Sequence, residues 1–220
     1  MRFKTAVTFA VLTVGLTACG TAADADLVST KDVEKVSSAL KAPACSDAQL
    51  QAAKRGHDIL HGAVIDAANA YAANTNSQEA IDYFGNRDED QALEVFYNLL
   101  WAVQTLAGDG TSFDIEINCA STDMCPPGNL AWSEIPYFTA VCNPDDPRFW
   151  AHYPYWMSHE MFHWLGWGDP STLGSCGGDC DADVIGIAKL WPAVAIQMPQ
   201  AYAAYIRKHI DARFPGPLYP

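Results

Sequence analysis

The sequence predicts an α+β domain in which helices flank a small central sheet. Three observations carry that expectation. Residues 46–73 repeat apolar side chains at helical spacing, residues 113–118 alternate apolar and polar, and the C-terminal part is again helical in pattern.

Taken in order, Ser46 or Asp47 can cap a first helix running to about residue 73. Its apolar face includes Leu50, Ala53, Leu60, Val64, Ala68 and Tyr71. His57 and His61 lie four residues apart on it, but no glutamate stands between them. They are expected to be surface or partly buried histidines and not ligands. A second helix is expected over residues 88–106, with Leu93, Phe96, Tyr97, Leu100, Trp101 and Val103 inward and Gly108-Asp109-Gly110 ending it. Residues 113–118 then read as a half-buried strand. Cys125-Pro126-Pro127-Gly128 is a turn, residues 130–132 and 136–141 are further short strands, and Asn143-Pro144-Asp145-Asp146-Pro147 closes the sheet. The sheet is expected to be antiparallel-rich. Residues 155–165 form a helix that Gly166, Gly168 and Pro170 terminate. A glycine-rich cysteine loop follows, then a helical region over residues 182–210 interrupted at Pro192 and Pro199.

The ends and composition constrain location. Arg2 and Lys4 precede an apolar stretch from residue 6 to 16, too short for a permanent membrane span. Leu16-Thr17-Ala18-Cys19 has the pattern of a bacterial lipoprotein cleavage box. Residues 1–18 are therefore expected to be a lipoprotein signal peptide, and Cys19 the lipidated first mature residue. Gly20 after the cysteine leans towards the outer membrane or cell surface; the alternative is an ordinary signal peptide and a released extracellular protein. Residues 19–42 are small, polar and charged, as a flexible tether would be. Residues 43–220 fit one domain, expected to be monomeric. Half the chain is hydrophobic and it holds seven tryptophans, enough for a substantial core. The net charge of −13, or −15 once Arg2 and Lys4 are lost, makes nucleic acid or anionic lipid a poor partner. Apart from Cys19, six cysteines remain, and an even number in an exported chain favours disulfides whose pairing spacing leaves open.

The segment with the most chemistry is His159-Glu160-Met161-Phe162-His163, an H-E-x-x-H run. On a helix the two histidines share one face and can grip one Zn²⁺. Glu160 adjoins the first of them, where its carboxylate could take the proton of a water that zinc has acidified. A catalytic zinc usually has three protein ligands. The residues leave four aspartates open as the third: Asp169, Asp179, Asp181 and Asp183. Asp169 stands at the H-x-x-G-x-x-D spacing after His163, and Gly166 would allow the turn that brings it back. No glutamate follows Glu160.

Over nearly the whole mature domain the chain resembles the aspzincins, the deuterolysin and peptidyl-lysine metalloendopeptidase group. The matching segments are Cys45 to Leu50, Tyr83-Phe84-Gly85, Ile117-Asn118-Cys119, Ala140-Val141-Cys142, the H-E-x-x-H run, Gly177-Gly178-Asp179, Ile187 to Leu190 and Ala201 to Tyr205. The resemblance implies a zincin-like fold, His159, His163 and Asp179 as zinc ligands with Asp169 the alternative, and Glu160 as general base. It also implies disulfides Cys45–Cys119 and Cys125–Cys142, with Cys176–Cys180 a local addition. The chain departs from the family in three places. The loop from His163 to Asp179 is longer, and glycine replaces the family's threonine before Asp179. The tyrosine that would steady the oxyanion falls at Ala182, leaving Tyr153, Tyr155 or Tyr202 to substitute. Residues near Gln200 and Ala203 are not acidic, so lysine specificity does not carry over. The expected function is a membrane-anchored zinc metalloendopeptidase acting on peptide or protein substrates. The alternative is a catalytically weak or inactive surface lipoprotein of the same fold that binds a partner.

Overall fold

A computed structural model describes residues 40–107, 115–120, 122–135, 137–169 and 181–219. The signal peptide, Cys19, Cys176, Asp179 and Cys180 lie outside the described residues. The architecture is α+β, with the elements β1 (Leu40–Lys41), α1 (Asp47–Ala73), α2 (Gln78–Phe84), α3 (Glu89–Ala107), β2 (Ile115–Asn118), β3 (Ala131–Glu134), β4 (Phe138–Val141), α4 (Pro147–Ala151), α5 (Tyr153–His163), α6 (Asp181–Leu190), α7 (Pro192–Ala195) and α8 (Pro199–Arg213).

The long helix α1 is the scaffold. Ser46 starts it with a capping box: its hydroxyl accepts from the Gln49 backbone N–H, and the Gln49 side chain accepts from the Ser46 backbone N–H. Ala53, Leu60, Val64, Ala68 and Tyr71 are all fully buried. The helix packs against α3, α5 and α8, so more than one of its faces is covered. That is why His57 and His61, expected at or near the surface, are each only 1% exposed. The closest approach is to α5 at Gly56, where an added Cβ would stand 2.6 Å from the Tyr153 ring.

The sheet has strand order β1-β2-β4-β3. It corrects the antiparallel-rich expectation: β1–β2 and β2–β4 are parallel, and only β3–β4 is antiparallel. After β2 the chain crosses to the outer position, forms β3 there, and returns through a hairpin to insert β4 beside β2. Local alternation of side chains cannot reveal that crossover, because parallel pairing joins residues distant in sequence. In β2, Ile115 and Ile117 are buried and Glu116 and Asn118 partly exposed, as the alternation predicts. A second correction concerns the tether. Leu40 is buried and pairs with Ile115, so residues 40–42 belong to the folded domain and not to a flexible segment. Backbone pairing of a two-residue strand leaves no pattern in the sequence.

Two disulfides fasten the halves, and they are the pairs the resemblance implied. Cys45–Cys119 joins the start of α1 to the end of β2, and Cys125–Cys142 joins the loop before β3 to the end of β4. The pair Cys176–Cys180 lies outside the described residues.

Candidate metal centre

Helix α5 begins two residues earlier than expected, at Tyr153, with proline in its first turn. Tyr153, Met157, Met161 and Phe162 are buried against the core. His159, Glu160 and His163 lie on the half-exposed face, and their ligand atoms stand within 4.8 Å of one another. This group can hold a metal ion.

The helix is anchored at its C-terminal end. The Trp164 indole donates to the Phe138 carbonyl of β4 at 3.2 Å. Gly166 adopts φ +81°, in the left-handed region that glycine tolerates, and its N–H caps His163 at 2.8 Å. The chain then turns back over the helix. The Trp167 ring stacks on Phe162 at 5.6 Å and lies 5.5 Å from Tyr202 of α8, while Tyr202 stacks on Phe162 at 4.5 Å. This three-ring cluster fixes the turn above α5.

That turn delivers two groups to the histidines. The Trp167 carbonyl lies 2.6 Å from His163 Nδ1. A carbonyl only accepts, so Nδ1 carries the proton, and Nε2 of neutral His163 has its lone pair free. The second group is Asp169. Its Oδ1 lies 3.3 Å from His159 Nε2 and 3.6 Å from His163 Nε2, and those two nitrogens are 3.0 Å apart. Ligands placed tetrahedrally about 2.0–2.1 Å from one zinc ion sit about 3.3 Å from each other. The three separations bracket that value, so this donor set fits the metal that the motif implies. Gln200, in the first turn of α8, donates from Nε2 to the same Asp169 oxygen at 2.5 Å.

The electrostatics follow from this packing. Burial works against charge on His159, but its hydrogen bond to Asp169 and the nearby Glu160 and Asp169 carboxylates outweigh burial, so its pKa lies above the ordinary imidazole value. For Asp169, burial favours the neutral acid, yet the contacts with His159, His163 and Gln200 prevail and hold the carboxyl below its usual range. The Asp169 carboxylate and the His159 imidazole thus favour each other's charged forms.

Two of the other candidates are placed elsewhere. Asp181 opens α6, where it accepts from the Tyr83 hydroxyl and lies 3.9 Å from Arg207. Asp183 is exposed on the same helix. Asp179 lies outside the described residues. None of the three tyrosines that could have replaced the missing one has a free hydroxyl beside the histidines. Tyr153 is fully buried, Tyr202 donates to the Ile196 carbonyl and accepts from Asn98, and Tyr155 donates to Asp211 at 2.7 Å. Burial and the Asp211 carboxylate push the Tyr155 pKa up to about 12. Sequence reasoning missed Gln200 and the Trp167 carbonyl as neighbours of the site, since neither a glutamine after a proline nor a backbone oxygen is a motif. The chain matches no protein-family model and no curated protein.

Proposed function

We propose that this protein is a zinc-dependent metalloendopeptidase, exported and held at a membrane through a lipid on Cys19. His159, His163 and Asp169 would hold the zinc. The observation that carries the reading is the convergence of two imidazole nitrogens and one carboxylate oxygen at tetrahedral-ligand spacing, with a Glu160 carboxylate oxygen within 4.8 Å of a ring nitrogen of each histidine. Zinc in such a set supplies a Lewis acid that polarises a peptide carbonyl and brings a water molecule towards ionisation near neutral pH. Glu160 takes a proton from the attacking water and gives it to the amine that leaves when the C–N bond breaks. The Trp167 carbonyl keeps His163 in the tautomer that presents Nε2.

The choice of Asp169 departs from the aspzincin resemblance, under which Asp179 would be the ligand. It follows instead the H-x-x-G-x-x-D spacing of small secreted peptidases, and the proximity of Asp169 to both imidazoles supports it. The sheet offers a place for substrate. The outer strand β3 lies against α5, and its other edge pairs with no described strand. An extended peptide could add along that edge by backbone hydrogen bonds. Trp132 and Ile135, 37% and 63% exposed, offer apolar contact there.

The test is Glu160→Gln. Cleavage of denatured casein should fall to background while zinc stays bound, and an unchanged rate would refute the mechanism. A second reading is a surface lipoprotein that binds a partner without catalysis. It is favoured by Ala182 at the tyrosine position and by the engagement of Tyr155 with Asp211. Purified mature protein that retains zinc yet cleaves no denatured protein would support it.

A further inference from the structure

We propose that Gln200 is the positioning residue of this centre: its amide holds the Asp169 carboxylate against the two histidines and thereby sets the metal affinity. The inference rests on reading His159, His163 and Asp169 as a metal centre, and adds a residue on a different element that the centre depends on.

Asp169 needs such support. It lies outside any helix or strand, in the segment after the Gly166 turn, and its side chain is 49% exposed. A half-exposed carboxylate on irregular chain samples several rotamers, and each strays from the geometry that a metal requires. The two histidines cannot both hold it and share a cation with it, since their Nε2 lone pairs are the donors. Gln200 is placed differently. It is 8% exposed, and it belongs to the first turn of a fifteen-residue helix. That helix is fastened to α5 by the Phe162–Tyr202 stack, two residues from Gln200. The glutamine is therefore rigidly referenced to the helix that carries the histidines.

The chemistry of the contact has one sense. A carboxylate only accepts, so the Gln200 amide must turn its NH₂ towards Asp169, which fixes the orientation of the amide. Its 2.5 Å hydrogen bond occupies one of the two lone-pair directions of Oδ1 and leaves the second for a cation shared with the imidazoles. The amide adds no charge, so the donor set keeps one negative charge against a dication. Its Oε1 is buried with no hydrogen-bond partner among the described residues. Turning the amide over would set that oxygen against the carboxylate, so the contact has a single workable orientation.

Removing a partner that orients a metal ligand typically costs 10- to 100-fold in metal affinity. The experiment is zinc titration of the full mature protein against a chromophoric chelator for wild type, Gln200→Met, Asp169→Ala, Gln200→Met/Asp169→Ala and His163→Ala. The unfolding midpoint of each metal-free protein and the absorption spectrum of its cobalt(II) form are recorded alongside. Methionine keeps the length and bulk of glutamine and lacks its donor; Gln200→Asn, which withdraws the amide by one methylene, serves if the Met variant does not fold. The proposal expects roughly 10- to 100-fold weaker zinc binding in Gln200→Met at an unchanged metal-free midpoint, with an altered cobalt spectrum. It also expects no further loss when Gln200→Met is added to Asp169→Ala, because the glutamine acts through the aspartate. Wild-type affinity in Gln200→Met beside lost affinity in His163→Ala would overturn the role of Gln200 and leave the centre standing. An additional loss in the Asp169→Ala background would also overturn it. Equal affinity in wild type and His163→Ala would instead overturn the metal centre itself.

Discussion

Acid should destabilise this protein through His57. The ring is wholly enclosed by α1 and its neighbours, and its Nε2 lies 3.1 Å from the Leu106 carbonyl of α3. Burial, opposed in part by that carbonyl and aided by the nearby His61, lowers its pKa from 6.5 to about 4. The folded value is the lower one, so the neutral ring favours folding above pH 6.5, and this contribution is lost as pH falls through 4. A separation of that size corresponds to about 3 kcal/mol once both states are protonated, of which about 2 kcal/mol is lost by pH 5. The variant His57→Leu isolates the effect, because leucine fills the space and does not titrate. Urea unfolding of both proteins, kept metal-free with chelator, would be measured from pH 7.5 to 4.5. The stability of wild type relative to His57→Leu should fall by about 2–3 kcal/mol across that range, and the fall should be steepest below pH 6.5. Titration of His159 and Asp169 is common to both proteins and cancels in the difference. A difference independent of pH would show that His57 is not held neutral, and would refute the enclosure of α1 described above.

Other expectations follow from the packing. Replacing Cys45 and Cys119 together by serine frees a link between residues 74 apart and should cost about 4 kcal/mol by loop entropy. The equivalent change at Cys125 and Cys142, 17 apart, should cost about 3 kcal/mol; urea midpoints under oxidising conditions would rank them, and a reversed order would contradict the entropic account. Gly56→Ala should destabilise by about 1–3 kcal/mol, since the new methyl meets the Tyr153 ring and α1 and α5 must move apart. Calorimetry would detect this, and a neutral or raised midpoint would show that the two helices do not pack so closely.

The long elements were legible because each carries its own pattern. Helix α1 has its capping serine and apolar repeat, β2 has strict alternation, and Pro192 and Pro199 divide the C-terminal helices where expected. Helix α3 was legible as a helix but not by its face: Leu93 and Tyr97, expected inward, are 45% and 63% exposed, and Val95, Leu99, Ala102 and Leu106 are buried beside Val103 instead. The short helices α2 and α4 span seven and five residues, too few for a periodicity to emerge. The cap of α4, Asp146, was read only as part of the segment that closes the sheet, and the cap of α2, Ser77, stands beside no helical repeat that would mark it. His57 and His61 were misplaced because polarity argues for a surface, whereas α1 is covered from several sides. The same asymmetry holds at the site. His159, Glu160 and His163 are fixed relative to one another by a single helical turn, so spacing suffices to pair them. The neighbours of that turn are brought in by tertiary packing: Trp167 and Asp169 by the reversal at Gly166, and Gln200 by the stacking of Tyr202 on Phe162. The resemblance pointed to Asp179, and only the folded path of residues 164–169 brings Asp169 beside both imidazoles.

The most direct test of the account is the zinc content, after exhaustive dialysis, of wild type, His163→Ala, Asp169→Ala and Asp179→Ala purified in parallel. The account predicts about one zinc per chain in wild type and in Asp179→Ala, and little in the other two. Metal-free wild type, or loss of zinc in Asp179→Ala with Asp169→Ala unaffected, would contradict it.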